Sequence, residues 1–215
     1  MGFREKRSVM SELTAFTIGH SNHPVEKLIE LLRQHETEVV VDVRSSPYAR
    51  YATHFNKKDI QRALEPQGIK YLFLGDVIGG KPKREEFYDD EGHVLYSRLS
   101  QSPGFQQGIT RLIDEIRSHR VALLCGEEDP TDCHRRLLIG PVLVERGVEL
   151  IHIRGDGRAQ TEEELVKEQE YQKNMGQMSL FEDEETKEWK STQSVSPRKA
   201  PQTSSRLSNE PGSSV

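Results

Sequence analysis

The chain has 215 residues, with 30 basic and 35 acidic side chains, a net charge of −5 at neutral pH, and only 33% apolar residues. No apolar run approaches the roughly 18 residues of a membrane-spanning helix, and residues 1–7 lack the apolar core of a secretory signal, so a cytoplasmic protein without membrane contact is expected. Two cysteines in a chain this long do not make a disulfide framework.

Residues 1–14 read as a flexible start. An apolar run over 15–18 is predicted as the first strand and leads into Gly19-His20-Ser21-Asn22. A helical period over 24–35 follows, carried by Leu28, Ile29, Leu31 and Leu32, with Ser21 or Asn22 as its expected cap. The second strand, 39–43, is interrupted by Asp42 and runs into Arg44-Ser45-Ser46-Pro47. A carboxylate inside such a run must be paired, and Arg44 and His20 are the nearest candidates by layout.

A helix over 57–64 ends at Gly68, and the third strand, 71–74, leads into Gly75-Asp76 and on to Gly79-Gly80. From there Lys81-Pro82-Lys83-Arg84 extends a flexible basic loop able to lie along a phosphodiester backbone. Tyr71, Phe73, Phe87 and Tyr88 read as core and lid residues. A helix over 103–118, a strand over 121–124, a helix over 133–146 closed by Gly147, and a strand over 150–153 complete the body, with both closing glycines as left-handed C-caps.

Strand then helix, repeated, predicts a single three-layer α/β domain over residues 15–160 with a mostly parallel sheet of about five strands. From Thr161 onward the composition turns to acidic clusters and Ser, Pro, Lys and Thr. Such a segment buries too little apolar surface to offset its ordering entropy, so 161–215 is expected to be a largely disordered acidic tail. It holds 11 of the acidic and 7 of the basic residues, which leaves the body nearly neutral. Contact with DNA would therefore have to come from a local cluster of Arg and Lys.

Loops at the carboxyl ends of parallel strands form the ligand crevice of such sheets. The richest of them runs from Cys125 through Gly126, Glu127, Glu128, Asp129, Pro130, Thr131 and Asp132 to Cys133, His134, Arg135 and Arg136. With Thr131 or Asp132 as N-cap, Cys133 sits at the start of a helix whose dipole favours an anion. Ser21, Arg44, Ser45, Arg135 and Arg136 are the expected anion-binding residues, phosphate being the preferred ligand group. The alternative is that these arginines pair with Glu127, Glu128, Asp129 and Asp132.

His20, Asp42, Glu127, Cys133 and His134 are the catalytic candidates, His20 first among the acid–base groups. Cys133 is a candidate nucleophile. Cys125 stands where phosphatase and rhodanese loops carry their cysteine, but the phosphatase spacing requires Arg at the position of Thr131, and Cys125 reads equally well as an inert buried thiol. Zinc on Cys125, Cys133, His134 and His20 lacks the close Cys-x2-Cys spacing of structural sites, so no metal or other cofactor is expected.

Four motifs occur in order. They are Thr17-Ile18-Gly19-His20-Ser21; Asp42-Val43-Arg44-Ser45 with Pro47; Leu74-Gly75-Asp76 leading to Gly79-Gly80; and Leu123-Leu124-Cys125 with Glu127, Pro130 and Cys133-His134-Arg135. Together they resemble the domain-of-unknown-function 488 family over residues 16–154. The resemblance implies a compact bacterial or archaeal α/β domain and no agreed reaction. Ala49 stands where a small hydroxyl residue is expected; if that hydroxyl binds ligand, Tyr48 or Tyr51 has to compensate.

In the tail, Gln177-Met178-Ser179-Leu180-Phe181 is a compact apolar anchor between charged runs. It resembles the pentapeptide that binds the bacterial sliding clamp, with Leu180 and Phe181 as anchors, Met178 as the aliphatic position and Gln177 fixing orientation. The expected function is accordingly a DNA-maintenance enzyme or damage-recognition factor, acting on a phosphate-bearing ligand and tethered to the clamp. The alternatives are a thiol-dependent enzyme on a small anionic metabolite and a non-enzymatic nucleotide-binding adaptor. If an enzyme, it is expected to be a hydrolase or transferase.

Overall fold

Each run of apolar residues predicted as a strand enters one sheet of the computed structural model, which describes residues 13–49, 51–176 and 188–195. In chain order the elements are β1 (Leu13–Gly19), α1 (Val25–Gln34), β2 (Val39–Asp42), α2 (Lys57–Leu64), β3 (Lys70–Phe73), α3 (Gly75–Ile78), α4 (Tyr96–Leu99) and α5 (Pro103–Ser118). They continue with β4 (Val121–Cys125), α6 (Gly140–Glu145), β5 (Val148–Ile153), β6 (Ala159–Thr161) and α7 (Glu162–Gly176). The strand order is β3-β2-β4-β1-β5-β6, with β6 antiparallel to β5 and all other pairs parallel.

β2 and β4 are buried along their whole length, as parallel strands covered on both faces must be. Phe16, Ile18, Val40, Ala122 and Leu124 point to one side and pack with Leu28, Leu31 and Leu32 of α1 and Ile60 and Leu64 of α2. Ala15, Val39, Val41 and Leu123 point to the other and pack with Phe105, Ile109 and Leu112 of α5 and Val142 and Leu143 of α6. Alternation along the strands thus builds the three layers. Gly68 (φ 72) and Gly147 (φ 77) take the left-handed conformation expected of them.

Three local expectations change. The segment predicted as one helix over 133–146 opens as a π-helical stretch, Arg135–Ile139, before α6. Pro141 lacks the N–H that an α-helix would give to the Leu137 carbonyl, which disfavours a regular helix there. Neither Thr131 nor Asp132 caps this helix, since no side-chain cap bond is made. Ser21 and Asn22 do not cap α1, which begins after Pro24 without a side-chain cap.

The segment expected to be a largely disordered tail differs over two described stretches. β6 pairs with β5 and feeds α7, whose Leu165 is buried and whose Glu162 bonds Arg136 and His152. Residues 188–195 lie against the body, where Lys190 bridges to Leu95 and the Trp189 indole bonds the Leu137 carbonyl. The Gln177–Phe181 pentapeptide lies outside the described residues. Among the described residues no helix is long and apolar enough to cross a membrane.

Candidate active site

β1, β2 and β4 end at one edge of the sheet, and two extra hydrogen bonds extend their pairing into the loops: His20 N–H to the Cys125 carbonyl at 3.0 Å and Ser21 N–H to that of Gly126 at 2.9 Å. The chain can cross there because residue 19 is glycine. A Cβ at Gly19 would fall on the Glu127 carbonyl. Gly75 and Gly79 likewise meet the backbone or side chains of Arg44 and Ser45, and a Cβ at Gly80 would strike the His134 ring. These loop glycines act by close packing, and Asp76 beside them is exposed and does not line the cavity described below.

Asp42 is fully buried and paired as its place in the strand requires. Its Oδ1 accepts from Arg44 N and Nε at 3.1 and 2.9 Å, and its Oδ2 from Arg44 Nη2 at 2.6 Å and the Tyr71 hydroxyl at 2.7 Å. Arg44 Nη2 also donates to the Phe55 carbonyl and Nη1 to His20 Nε2 at 3.0 Å. An arginine only donates, so His20 carries its proton on Nδ1, which donates to the Ser21 carbonyl at 2.7 Å. Burial comes first in pushing the His20 pKa down to about 4, with the Arg44 charge adding to it and the Ser21 carbonyl opposing. His20, stacked on Phe55, is thus a neutral ring with its basic nitrogen occupied.

The second set of groups is Cys125 at the end of β4, Glu127 in the loop, and Cys133 and His134 where the chain turns into the π-helical stretch. Cys125 Sγ lies 3.0 Å and Cys133 Sγ 3.4 Å from Glu127 Oε2. The same sulfurs lie 3.7 and 3.9 Å from His134 Nδ1. His134 Nε2 is 2.9 Å from the Val43 carbonyl, which can only accept. The ring therefore holds a proton on Nε2 and turns a lone pair on Nδ1 toward both thiols. Both cysteines are free and buried.

This crowding moves every group in it. Cys133 is held well below the usual thiol range, first by the hydrogen bond from Cys125 and then by His134 and the Arg135 charge, against its burial. Cys125 rises well above that range through the same bond and its own burial. Burial pushes His134 down, but Cys133, the Val43 carbonyl and Glu127 outweigh it and raise the imidazole. Burial likewise opposes ionisation of Glu127, yet hydrogen bonds from Cys125, its own backbone N–H and Cys133 bring it down to about 2. Cys125 Sγ, Cys133 Sγ and His134 Nδ1 all lie within 4.8 Å of one another and can hold a metal ion, and His20 is not part of that group.

The arginines expected to bind an anion are engaged elsewhere. Arg135 is 1% exposed and donates through Nη1 and Nη2 to the Glu127 and Glu128 carbonyls, both at 2.6 Å, with Nε 3.4 Å from Thr17 Oγ1. It shapes the loop that carries Glu127. Arg136 binds the Glu162 carboxylate at the start of α7. Arg44 is held by Asp42, its candidate partner by layout, so none of the three arginines pairs with the carboxylates of Glu127, Glu128, Asp129 or Asp132 through a hydrogen bond among the described residues.

A cavity of about 340 Å³ opens over the thiols. His20, Arg44, Ser45, Ser46, Tyr48, Gly80, Lys81, Glu127 and His134 contribute to its walls, while Ser21 and Tyr51 line an adjoining hollow that shares His20, Ala49, Gly126 and Glu127 with it. Of the two tyrosines weighed against Ala49, Tyr48 faces the cavity. The basic loop is anchored by Ser45 Oγ, which accepts from Lys81 N, and by the Tyr88 hydroxyl, which donates to the Pro82 carbonyl. Lys81 is the part of it that reaches the cavity.

Sequence reasoning missed one wall. Ser191, Thr192, Gln193 and Val195 line the cavity, in a segment whose polar composition gives no pattern to read. The signal was Trp189, the single tryptophan of the chain, standing in an otherwise polar stretch. Tyr96, which also lines the cavity and meets Trp189 edge-on at 6.1 Å, was missed with it.

A family model described as "Domain of unknown function DUF488" matches residues 24–140. A comparison with curated proteins finds no significant match.

Proposed function

The chain belongs to the DUF488 family, whose description assigns no reaction, and from that premise we propose that it is an enzyme acting on a small anionic metabolite through Cys125, Cys133, His134 and Glu127. The observation that carries this reading is the convergence of both sulfurs on one carboxylate oxygen and one imidazole nitrogen at the cavity wall. Strongly perturbed ionisable groups gathered in a cleft are a mark of reactive sites. The reaction class is hydrolysis or group transfer, and the setting is the cytoplasm, where both thiols stay reduced. Lys81 supplies a cation on the cavity wall, with the Ser45 and Ser46 hydroxyls as neighbours that select a polar substrate.

Asp42, Arg44 and His20 are positioning groups in this reading, since their hydrogen-bonding atoms are committed within one network that also takes in Tyr71 and the Phe55 and Ser21 carbonyls. The test is incubation of the purified protein with an extract of small polar metabolites, followed by mass spectrometry, beside Glu127→Gln protein. An anionic compound consumed by the wild type and spared by the variant is the expected result. Equal profiles for both would remove the proposal.

A second reading is favoured by the Gln177-Met178-Ser179-Leu180-Phe181 pentapeptide: a DNA-maintenance role in which the sliding clamp carries the domain to DNA and the ligand is a nucleotide or strand end. Tethering of this kind raises effective concentration without requiring intrinsic DNA affinity. Micromolar or tighter clamp binding, abolished by Leu180→Ala with Phe181→Ala, is the expected outcome. Absence of binding would leave the small-metabolite reading alone.

A further inference from the structure

We infer that Cys125, Cys133 and His134 form a binding site for one zinc ion, with its fourth coordination position open to the cavity. The inference goes beyond the reaction proposed above, which names the reactive groups without assigning them a metal.

Three observations carry it. The donor set of two sulfurs and one imidazole nitrogen is the soft combination that selects zinc over magnesium or calcium. The geometry agrees: a tetrahedral ion with Zn–S of about 2.3 Å and Zn–N of about 2.0–2.1 Å requires a sulfur-to-nitrogen edge of about 3.6 Å, and the two edges here are 3.7 and 3.9 Å. All three donor atoms lie within 4.8 Å of one another.

The third observation is the partner behind the ligand. A ligating histidine almost always donates its other ring N–H to a carbonyl or carboxylate, which fixes the ring and the tautomer. His134 Nε2 does this at 2.9 Å to the Val43 carbonyl, in the tautomer that frees Nδ1 for the ion. The ring is further confined by Gly80, whose missing Cβ leaves the space it occupies.

Three protein ligands with a fourth direction left free is the pattern of catalytic zinc, whereas structural zinc is closed by four. All three ligands line the same cavity as Lys81, Ser45 and Tyr48, so an ion held by them has solvent-accessible space beside it for a fourth ligand. Glu127 is outside the three-atom group but its Oε2 lies 3.0 and 3.4 Å from the sulfurs, placed to exchange a proton with a molecule bound at the open position. The sulfurs are brought together by the chain reversal between β4 and the π-helical stretch, eight positions apart in sequence. The other cluster of potential ligands among the described residues, Asp89, Glu91 and His93, already holds the Lys190 ammonium at 2.8 Å.

The test uses the full-length protein, reduced and stripped of metal with a chelator. Zinc is titrated against a chromophoric competitor, and cobalt is titrated separately to record its spectrum. One equivalent of zinc per chain is expected, with a sulfur-to-cobalt charge-transfer band and the intense visible bands of tetrahedral cobalt. Cys125→Ser and Cys133→Ser should each weaken zinc binding by more than the roughly 10–100-fold that loss of an outer partner costs. Should these variants fail to fold, protection of both cysteines in the wild type from alkylation by one equivalent of zinc gives the same answer.

Absence of saturable binding at one equivalent, or a cobalt spectrum without sulfur charge transfer, overturns the inference. So does affinity unchanged in folded Cys133→Ser. Failure of the metal and failure of the reaction separate cleanly. Zinc binding retained in Glu127→Gln with no metabolite consumed by wild type strikes the reaction alone, and turnover by a chain that binds no zinc strikes the metal alone.

Discussion

The Trp189 indole N–H donates to the carbonyl of Leu137 at 2.8 Å, the carbonyl whose partner four residues on is Pro141 and has no N–H to give. One side chain from the polar C-terminal segment thereby holds the helix that follows Cys133 and His134. The same segment presents Ser191, Thr192, Gln193 and Val195 to the cavity. Trp189→Ala should cost about 2 kcal/mol of stability, from lost packing against Tyr96 and the lost hydrogen bond, and Trp189→Phe about 1 kcal/mol. Urea unfolding followed by circular dichroism measures both. A Trp189→Ala midpoint equal to that of the wild type would mean the segment does not bind the body in solution.

The buried Asp42–Arg44 pair leads to a sharper loss. Removing one partner of a buried ion pair leaves the other charge uncompensated, which costs about 3–5 kcal/mol, so Asp42→Asn should unfold at markedly lower urea. Tyr71→Phe removes one donor to the same carboxylate and should cost about 1.5–3 kcal/mol, the range for bonds to charged groups. An Asp42→Asn protein as stable as the wild type would contradict the pairing.

Two glycines give opposite expectations for the same substitution. A Cβ at Gly19 would fall on the Glu127 carbonyl, whereas one at Gly104 in α5 meets nothing within 4 Å. Gly104→Ala should gain about 0.5 kcal/mol by its better helix propensity. Gly19→Ala must push the 126–128 loop away, with loss of stability and of any activity that needs Glu127. Thermal melts of the pair decide it, and equal melting temperatures would contradict the close crossing.

His20 sets a pH dependence of known sign. Its pKa is about 4 in the folded protein, against about 6.5 when unfolded. Between those values the unfolded chain binds more protons, so stability falls as pH drops from 6.5 to 4 and changes no further through this group below that. The shift corresponds to about 3 kcal/mol across the window. Arg44, Asp42 and Glu127 are the charges that face the ring. Urea midpoints for wild type and His20→Gln at several pH values isolate the His20 contribution as their difference, and parallel pH curves would contradict it.

What could be read from the sequence was local. Strand and helix alternated because burial on both faces imposes apolar runs, Gly68 and Gly147 marked helix ends by their backbone freedom, and Asp42 announced a partner because a buried carboxylate cannot stand alone. Partners set by tertiary distance were not legible. Arg135 and Arg136 sit side by side in an apparent anion site, yet one reaches Thr17, 118 positions away, and the other Glu162. The Cys125 and Cys133 pairing with His134 was visible only as a list of reactive residues, since its convergence depends on a chain reversal and a π-helical turn. The cavity wall at 191–195 had no periodicity to reveal it.

The most direct test of the central claim, that Glu127 and Cys133 act as one unit in a shared site, is a double-mutant cycle on turnover of the consumed metabolite. Residues that work as a unit are strongly non-additive when removed together. Glu127→Gln and Cys133→Ser are each expected to lower kcat/KM by about 1,000-fold or more, as losing one member of such a set does, and the double variant should be no worse than the poorer single one. Losses that multiply, or either single variant retaining wild-type turnover, would contradict the account.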